Sequence, residues 1–121
     1  MATITVLKKN QIFVFGSNLL GAHGGGAAHQ AKEFFGAKKG CGEGLTGRCY
    51  AFPSLDRNFH KRSWEDLEHS RDLFFSCAEL HPDKEFLMTA VGTGIAGFSH
   101  EEMKSLFADP PLNVILPEEW R

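Results

Sequence analysis

Two glycine-rich segments constrain the fold of this chain more than any other feature, because each joins an apolar run to a helix-forming run. The first reads GSNLLGAHGGG and occupies residues 16–26, between the apolar residues 12–15 and the helix formers of 26–35. The second reads GTGIAG and occupies residues 92–97, after the apolar stretch FLMTAV. Strands that feed through tight loops into helices are typical of layered α/β proteins. The sequence therefore predicts an α/β fold.

The remaining segments continue this alternation. Apolar or β-branched runs predict strands over residues 2–6, 11–15, 48–53, 85–92 and 113–117, and amphipathic runs predict helices over residues 26–35, 63–81 and 99–107. Ser63 and Ser99 each precede an acidic residue by three positions, which is the pattern of a capping box. Residues 36–47 hold five glycines and are predicted to be a loop. We expect one domain over residues 1–121, with a three-layer arrangement of helices around a mixed, partly parallel sheet.

The composition of the chain indicates which kinds of binding partner are not expected. The chain has 13 basic and 15 acidic side chains and therefore no excess of positive charge. We do not expect it to bind nucleic acid through charge alone. Its three cysteines lack metal-ligand spacing and are expected to be free thiols. Met1 is followed by a short polar stretch, and no apolar run is long enough to span a membrane. We expect a cytoplasmic protein without a membrane partner, metal site or cofactor.

The placement of the glycine loops indicates an anion-binding role. Glycine lets backbone N–H groups approach a ligand, and a helix that follows directly adds the positive end of its dipole. Two such loops at neighbouring strand ends would hold a phosphate or diphosphate from two sides. Neither loop has the Gly-Lys-Ser/Thr of a P-loop or the full dinucleotide-binding pattern. A tight turn with close helix packing is the alternative for each loop.

Two longer motifs resemble the signatures of the macrodomain family. The run FVFGSNLLGAHGGGAAHQA, residues 13–31, matches a buried strand that ends in small-small-Asn and is followed by a triple glycine and a helix. The run FLMTAVGTGIAGFSHEEM, residues 86–103, matches a buried strand, a glycine loop ending in an aromatic residue, and a capped helix. The resemblance implies a compact macrodomain-like fold that binds ADP-ribose or a related nucleotide, free or attached to a macromolecule.

The two loops together supply the expected ligand-binding residues. These are Gly16, Ser17, Asn18, His23, Gly24, Gly25, Gly26, Gly92, Thr93, Gly94, Ile95, Ala96, Gly97 and Phe98. The resemblance implies that the glycines approach the diphosphate, that Phe98 packs beside the distal ribose and that the Asn18 amide contacts that ribose. For Phe98, simple packing in the core is the alternative. His23 is a candidate general acid or a partner for phosphate, with a solvated loop histidine as the alternative.

Departures from the family pattern leave the activity open. Ala28 and Ala96 stand where hydrolytic relatives carry acidic residues, and Gln11 stands where an Asp usually contacts adenine. We therefore expect a binding protein rather than an enzyme. One alternative is a hydrolase of ADP-ribosyl bonds that uses Asn18 and His23 with an activated water, and another is an interaction module that has lost its ligand. The polar stretch 56–60 is a further candidate to fold over a ligand.

Overall fold

The computed structural model describes residues 6–23 and 26–121. Its elements, in chain order, are β1 (Gln11–Asn18), α1 (Gly26–Phe35), β2 (Gly44–Thr46), β3 (Cys49–Leu55), α2 (Trp64–Leu80), β4 (Glu85–Met88), α3 (His100–Leu106) and β5 (Val114–Ile115), followed by a 3-10 turn over Glu118–Trp120. Strands alternate with helices through most of the chain, which confirms the α/β prediction. Within the described residues, no helix has the length and apolar character needed to cross a membrane.

The strands form one sheet in the order β2-β3-β1-β4-β5. Neighbours from β3 to β5 run parallel, and β2 pairs antiparallel with β3 at one edge. The chain passes from β1 to β3 on one side and then crosses β1 to reach β4 on the other. Such a reversal of strand order leaves a crevice at the carboxyl ends of the central strands, where ligands of open α/β sheets bind. Both predicted glycine loops leave the sheet at this edge.

Each face of the sheet has its own core, so the molecule has three layers. Strand β1 sends Phe13 and Phe15 to the α1 face and Val14 to the face covered by α2 and α3. All three side chains have no solvent exposure, and β1 therefore has the continuous apolar character of a strand buried on both sides. The mixed sheet with helices on both faces confirms the predicted layered architecture.

Several strand boundaries differ from the sequence prediction. Strand β1 continues to Asn18 instead of ending at residue 15, and β5 is limited to Val114–Ile115. Residues 44–46 form β2 rather than loop, because Gly47, with a φ of 58°, turns the chain so that Thr46 pairs with Cys49. Strand β4 ends at Met88 instead of residue 92, since Val91 N donates to Thr89 O and begins a turn. For the first predicted strand, residues 2–5 lie outside the described residues and residue 6 belongs to no strand.

Proline does not end β3 as predicted. The strand continues through Pro53 to Leu55. Strand β2 pairs with β3 only as far as Ala51, so Pro53 lies beyond the part of the ladder that would need its missing N–H group. Strand β3 therefore reaches the carboxyl edge of the sheet beside the end of β1.

Both predicted helix starts are confirmed. Asp66 N donates to the Ser63 hydroxyl at the start of α2. At α3 the full capping box is present, with Glu102 N donating to Ser99 Oγ and Ser99 N donating to Glu102. The second capped helix begins directly after the second glycine loop, so the capping box also fixes the end of that loop.

Candidate functional site

The two predicted glycine loops touch at the carboxyl edge of the sheet. A Cβ placed on Gly16 would lie 3.3 Å from the Gly92 nitrogen and 3.5 Å from the Val91 Cα. The backbone N–H and hydroxyl of Thr89 both donate to the Val14 carbonyl, at 3.0 and 2.9 Å. The second loop therefore begins directly against β1, with no side chain between the two backbones.

The second loop, residues 92–98, is closed by its own backbone. Phe98 N donates to Gly92 O at 2.9 Å, and Gly97 N donates to Gly94 O at 3.0 Å. Gly92 and Gly97 have φ values of 79° and 74°, which non-glycine residues adopt only under strain. A Cβ at Gly94 would meet no atom within 4 Å, and Ile95 is 93% exposed. The middle of the loop thus faces open space.

Three other side chains of this loop make contacts within the protein. The Thr93 hydroxyl donates to the Ala90 carbonyl at 2.7 Å. Ala96 and Phe98 are buried in the core on the α2 and α3 face. The packing alternative for Phe98 therefore has direct contacts in its favour, although one face of its ring lies 4.5 Å from the Lys61 ammonium.

At the end of β1, Ser17 and Asn18 hold the backbone of the following loop in shape. The Asn18 amide donates to the Ala22 carbonyl at 3.0 Å and accepts from the Ala22 N–H at 3.1 Å. The Ser17 hydroxyl donates to the Gly42 carbonyl. An amide has two N–H donors and two oxygen lone pairs, so one of each remains on Asn18 for a ligand. Gly24 and Gly25, which the sequence assigned to the same loop, lie outside the described residues.

His23 is the most unusual side chain in the first loop. It is 3% exposed and its ring stands edge-on to Phe15, with 5.3 Å between the ring centroids. Within residues 6–23 and 26–121, neither ring nitrogen has a hydrogen-bond partner. Burial lowers the pKa of His23 below 6.5 although the nearby Cys41 backbone acts in the opposite direction, so the imidazole is mainly neutral at pH 7. The contact with Cys41 falls short of a well-formed hydrogen bond, which leaves one nitrogen able to donate and the other to accept. Buried polar atoms without partners are rare and costly, which makes His23 a candidate to bind a ligand or an ordered water.

A third glycine-rich segment packs on the first loop, and the sequence analysis treated it as plain loop. Gly40 N donates to Gly21 O at 2.9 Å, and a Cβ on Gly42 would collide with the carbonyl of Asn18. Next to Gly42, the Glu43 Oε2 atom is buried without a partner among the described residues. The signal in the sequence was a single acidic residue bracketed by glycines, GCGEG. This third segment, residues 40–44, therefore carries a buried carboxylate oxygen beside the glycine that packs on the first loop, and the charge of Glu43 also acts on Tyr50 in the core.

The polar stretch after β3 forms an ordered turn. The Asp56 carboxylate accepts from Asn58 N at 2.8 Å and from His60 N at 3.0 Å, and these bonds hold the pKa of that carboxyl below its usual range. An antiparallel bridge joins Leu55 to Lys61 and closes the turn. The turn starts against the first loop, where Leu19 N donates to Leu55 O, and it ends with Lys61 beside the second loop.

A cavity lies on the α1 face of the sheet, beside the start of α1 and the end of β4. It has a volume of about 370 Å³ and lies between α1 and the C-terminal segment. Its walls include Ala27 in the first turn of α1, Leu87 on β4, and Thr89 and Ala90, which lead into the second loop. Leu87 is half-buried for this reason, so β4 is not covered on both faces as its sequence predicted. Helix α1 has no acidic residue in its first turn to neutralise its positive end.

The arrangement can bind an anion and a flat apolar group side by side. The second loop has open space at Gly94, the start of α1 has open space at Gly26, and a cavity with largely apolar walls lies on the α1 face. In the part of the chain that the structure describes, no three His, Cys, Asp or Glu side chains form a group suited to a metal ion. Comparisons of the chain with protein-family models, curated proteins and solved structures find no match.

Proposed function

We propose that this protein binds ADP-ribose or a related nucleotide diphosphate at the carboxyl edge of its sheet. The observation that carries the proposal is the direct contact of Gly16 with the backbone of Val91 and Gly92. Close approach of the two glycine segments without an intervening side chain leaves room for one anion, and the N–H groups of Gly94 and Ile95 in the exposed middle of the second loop are the donors that would reach it. If the glycines served only to form tight turns, the two loops would not need to meet at the carboxyl edge of the sheet.

The diphosphate would lie over the second loop, which has room for it at Gly94. Gly26 offers similar space at the start of α1, since a Cβ there would meet no atom within 4 Å. The dipole of this helix of 10 residues favours an anion at its N-terminus. In this arrangement His23 donates one hydrogen bond to the ligand, and Asn18 offers its remaining N–H.

The nucleoside would extend from the loops into the cavity on the α1 face. A volume of about 370 Å³ lies within the usual range of ligand pockets, which is roughly 300–1,000 Å³. Apolar walls suit the face of a base, while Gln30 and Arg121 bring polar groups to the same cavity. We propose that the ligand is met in the cytoplasm, either free or attached to a protein.

Binding is favoured over hydrolysis because two expected carboxylate positions are apolar. Ala28 is buried in the α1 face core, and Ala96 is buried on the opposite face. The observation that supports a hydrolase as second candidate is Glu43, whose Oε2 is buried and has no partner among the described residues. A hydrolase would use this carboxylate to remove a proton from an attacking water.

A thermal-shift titration tests binding. ADP-ribose, NAD and cyclic ADP-ribose are added up to millimolar concentration, with ribose 5-phosphate as a control for phosphate alone. A ligand at about a hundred times its dissociation constant stabilises the fold by about 2.7 kcal/mol, which raises the melting temperature clearly. No shift with any nucleotide would contradict the proposal.

A release assay separates the two candidates. The protein is incubated with an ADP-ribosylated protein, and free ADP-ribose is measured over time. A binding protein releases none, while a hydrolase releases ADP-ribose in a reaction that Glu43→Gln abolishes. Release by the wild type that Glu43→Gln leaves unchanged would contradict the proposed role of Glu43 and the preference for a binder together.

A further inference from the structure

We infer that Lys61 is the residue that neutralises the negative charge of a ligand at the second glycine loop. Its ammonium nitrogen lies 4.5 Å from the centroid of the Phe98 ring, and its Cε lies 3.7 Å from the Cβ position at Gly97. The inference rests on the proposed function and adds a charged side chain to a site otherwise made of backbone. No sequence motif singled out this lysine.

The backbone around Lys61 is fixed from both sides. On one side, Lys61 itself forms the antiparallel bridge with Leu55 that closes the Asp56 turn. On the other, the Arg62 guanidinium donates to the Pro53 carbonyl at 2.9 Å and to the Ser70 hydroxyl at 2.7 Å. The backbone that carries the Lys61 side chain is therefore held in place beside the loop. Ligand binding does not have to order a mobile segment first.

The charge of Lys61 is available to a ligand. Among the described residues Lys61 takes part in no ion pair, and the ion pair found there joins Arg71 to Asp72. The second loop, residues 92–98, has no charged side chain of its own. The pKa of Glu102 is lowered mainly by its hydrogen bonds with Ser99 and to a smaller extent by the Lys61 charge, and its carboxylate already accepts the Ser99 N–H of the capping box. A contact with the face of one aromatic ring is a weak competitor for a diphosphate.

This placement predicts selectivity for charged ligands. An ammonium is a compact point charge on a flexible stem, so it can follow either phosphate of a diphosphate without imposing one geometry. A neutral nucleoside would gain nothing from it. The site should therefore discriminate between nucleotides and nucleosides through Lys61, while the cavity contributes equally to both.

Isothermal titration calorimetry with ADP-ribose and with adenosine tests the inference, at several salt concentrations. Lys61→Gln should weaken ADP-ribose binding by roughly tenfold or more and lower the slope of log affinity against log salt by about one. Adenosine binding should not change. Lys9→Gln is the matched control, because Lys9 is exposed in the turn before β1, at the opposite edge of the sheet. It should alter neither value.

The variant Lys61→Arg keeps the charge and should retain most of the affinity, and melting temperatures verify that each variant is folded. If wild-type protein binds ADP-ribose and Lys61→Gln binds it with the same affinity and salt slope, the inference is wrong while the proposed function stands. Loss of binding in Lys61→Arg as well, in folded protein, would also overturn a role for charge. Failure of the wild type to bind overturns both.

Discussion

At the scale of single residues, His23 is buried, and its two ring nitrogens have no hydrogen-bond partner among the described residues. The sequence drew attention to it because it precedes the glycine run, and that position was predictable. Its burial was not, because the edge-on contact with Phe15 depends on how the loop returns over β1. Glu43 was missed for a similar reason, since the packing of segment 40–44 on the first loop is a contact between residues distant in sequence. Polar atoms that a protein leaves unpaired are expected where function outweighs stability.

Replacement of His23 by Phe should therefore separate stability from binding. A phenyl ring keeps the contact with Phe15 and removes two buried nitrogens that have no partner within the described residues. We expect the free energy of unfolding to stay the same or increase, and ADP-ribose affinity to fall by roughly tenfold or more. Urea unfolding and calorimetry measure the two quantities. A loss of stability with unchanged affinity would show that the imidazole has a packing role instead.

The pH dependence of stability gives a second prediction for His23. Burial lowers its folded pKa below 6.5, so the unfolded chain binds a proton that the folded protein resists. The stability that depends on a neutral His23 is fully present above the pKa of the unfolded chain. It is lost as the pH falls through 6.5 towards the lower pKa of the folded protein. Wild-type protein should lose more stability between pH 7.5 and pH 5.5 than His23→Phe does. His69→Gln, at an exposed position on α2, is the control and should follow the wild type.

At the scale of elements, the sequence predicted best what depends on neighbours along the chain. The capping box of Ser99 and Glu102 is complete within four residues, so the start of α3 was predictable. Strand β2 was not, because its three residues become a strand only through pairing with β3. The second loop is intermediate. Its glycines were visible, but only the structure shows which of them the backbone requires and which leave space.

Two glycine substitutions should distinguish these roles within the second loop. Gly94→Val adds a side chain where a Cβ has no neighbour within 4 Å, so stability should stay within about 0.5 kcal/mol while ligand binding is lost. Gly92→Ala forces a φ of 79° on a residue with a Cβ and brings it 2.8 Å from Met103 Cε. It should destabilise the fold by about 1–3 kcal/mol. Thermal melts with and without ADP-ribose measure both, and normal binding by Gly94→Val would place the ligand elsewhere.

At the scale of the whole molecule, the two faces of the sheet are unequal. Helices α2 and α3 cover one face with a large aromatic core, whereas α1 covers part of the other and leaves the cavity beside it. The continuous apolar run of residues 12–15 in β1 predicted a strand buried on both faces. The sequence could not show which helix covers which face, because that follows from the order in which the strands pair. The open part of the α1 face is the space that the proposed nucleoside uses.

This inequality predicts where the fold is most sensitive. Phe74 has no solvent exposure, and its ring centroid lies 4.8 Å from that of Tyr50 and 5.9 Å from that of Phe86. Phe74→Ala should lower the free energy of unfolding by about 3–5 kcal/mol, because it removes apolar contacts and leaves a cavity in the core. Phe34 is 72% exposed on α1, and Phe34→Ala should change stability by less than about 0.5 kcal/mol.

Urea unfolding followed by circular dichroism and by tryptophan fluorescence measures both variants, with Trp120 stacked on Phe107 as a reporter of the same core. If the layers unfold together, the two probes give one transition in each variant. Because Phe74 does not line the cavity and lies on the opposite face of the sheet, saturating ADP-ribose should stabilise the folded Phe74→Ala protein by as much as it stabilises the wild type. If Phe74→Ala lowers the free energy of unfolding by less than about 1 kcal/mol, the core on the α2 face is not the main source of stability. Separate transitions for the two probes would show that the two faces of the sheet unfold independently.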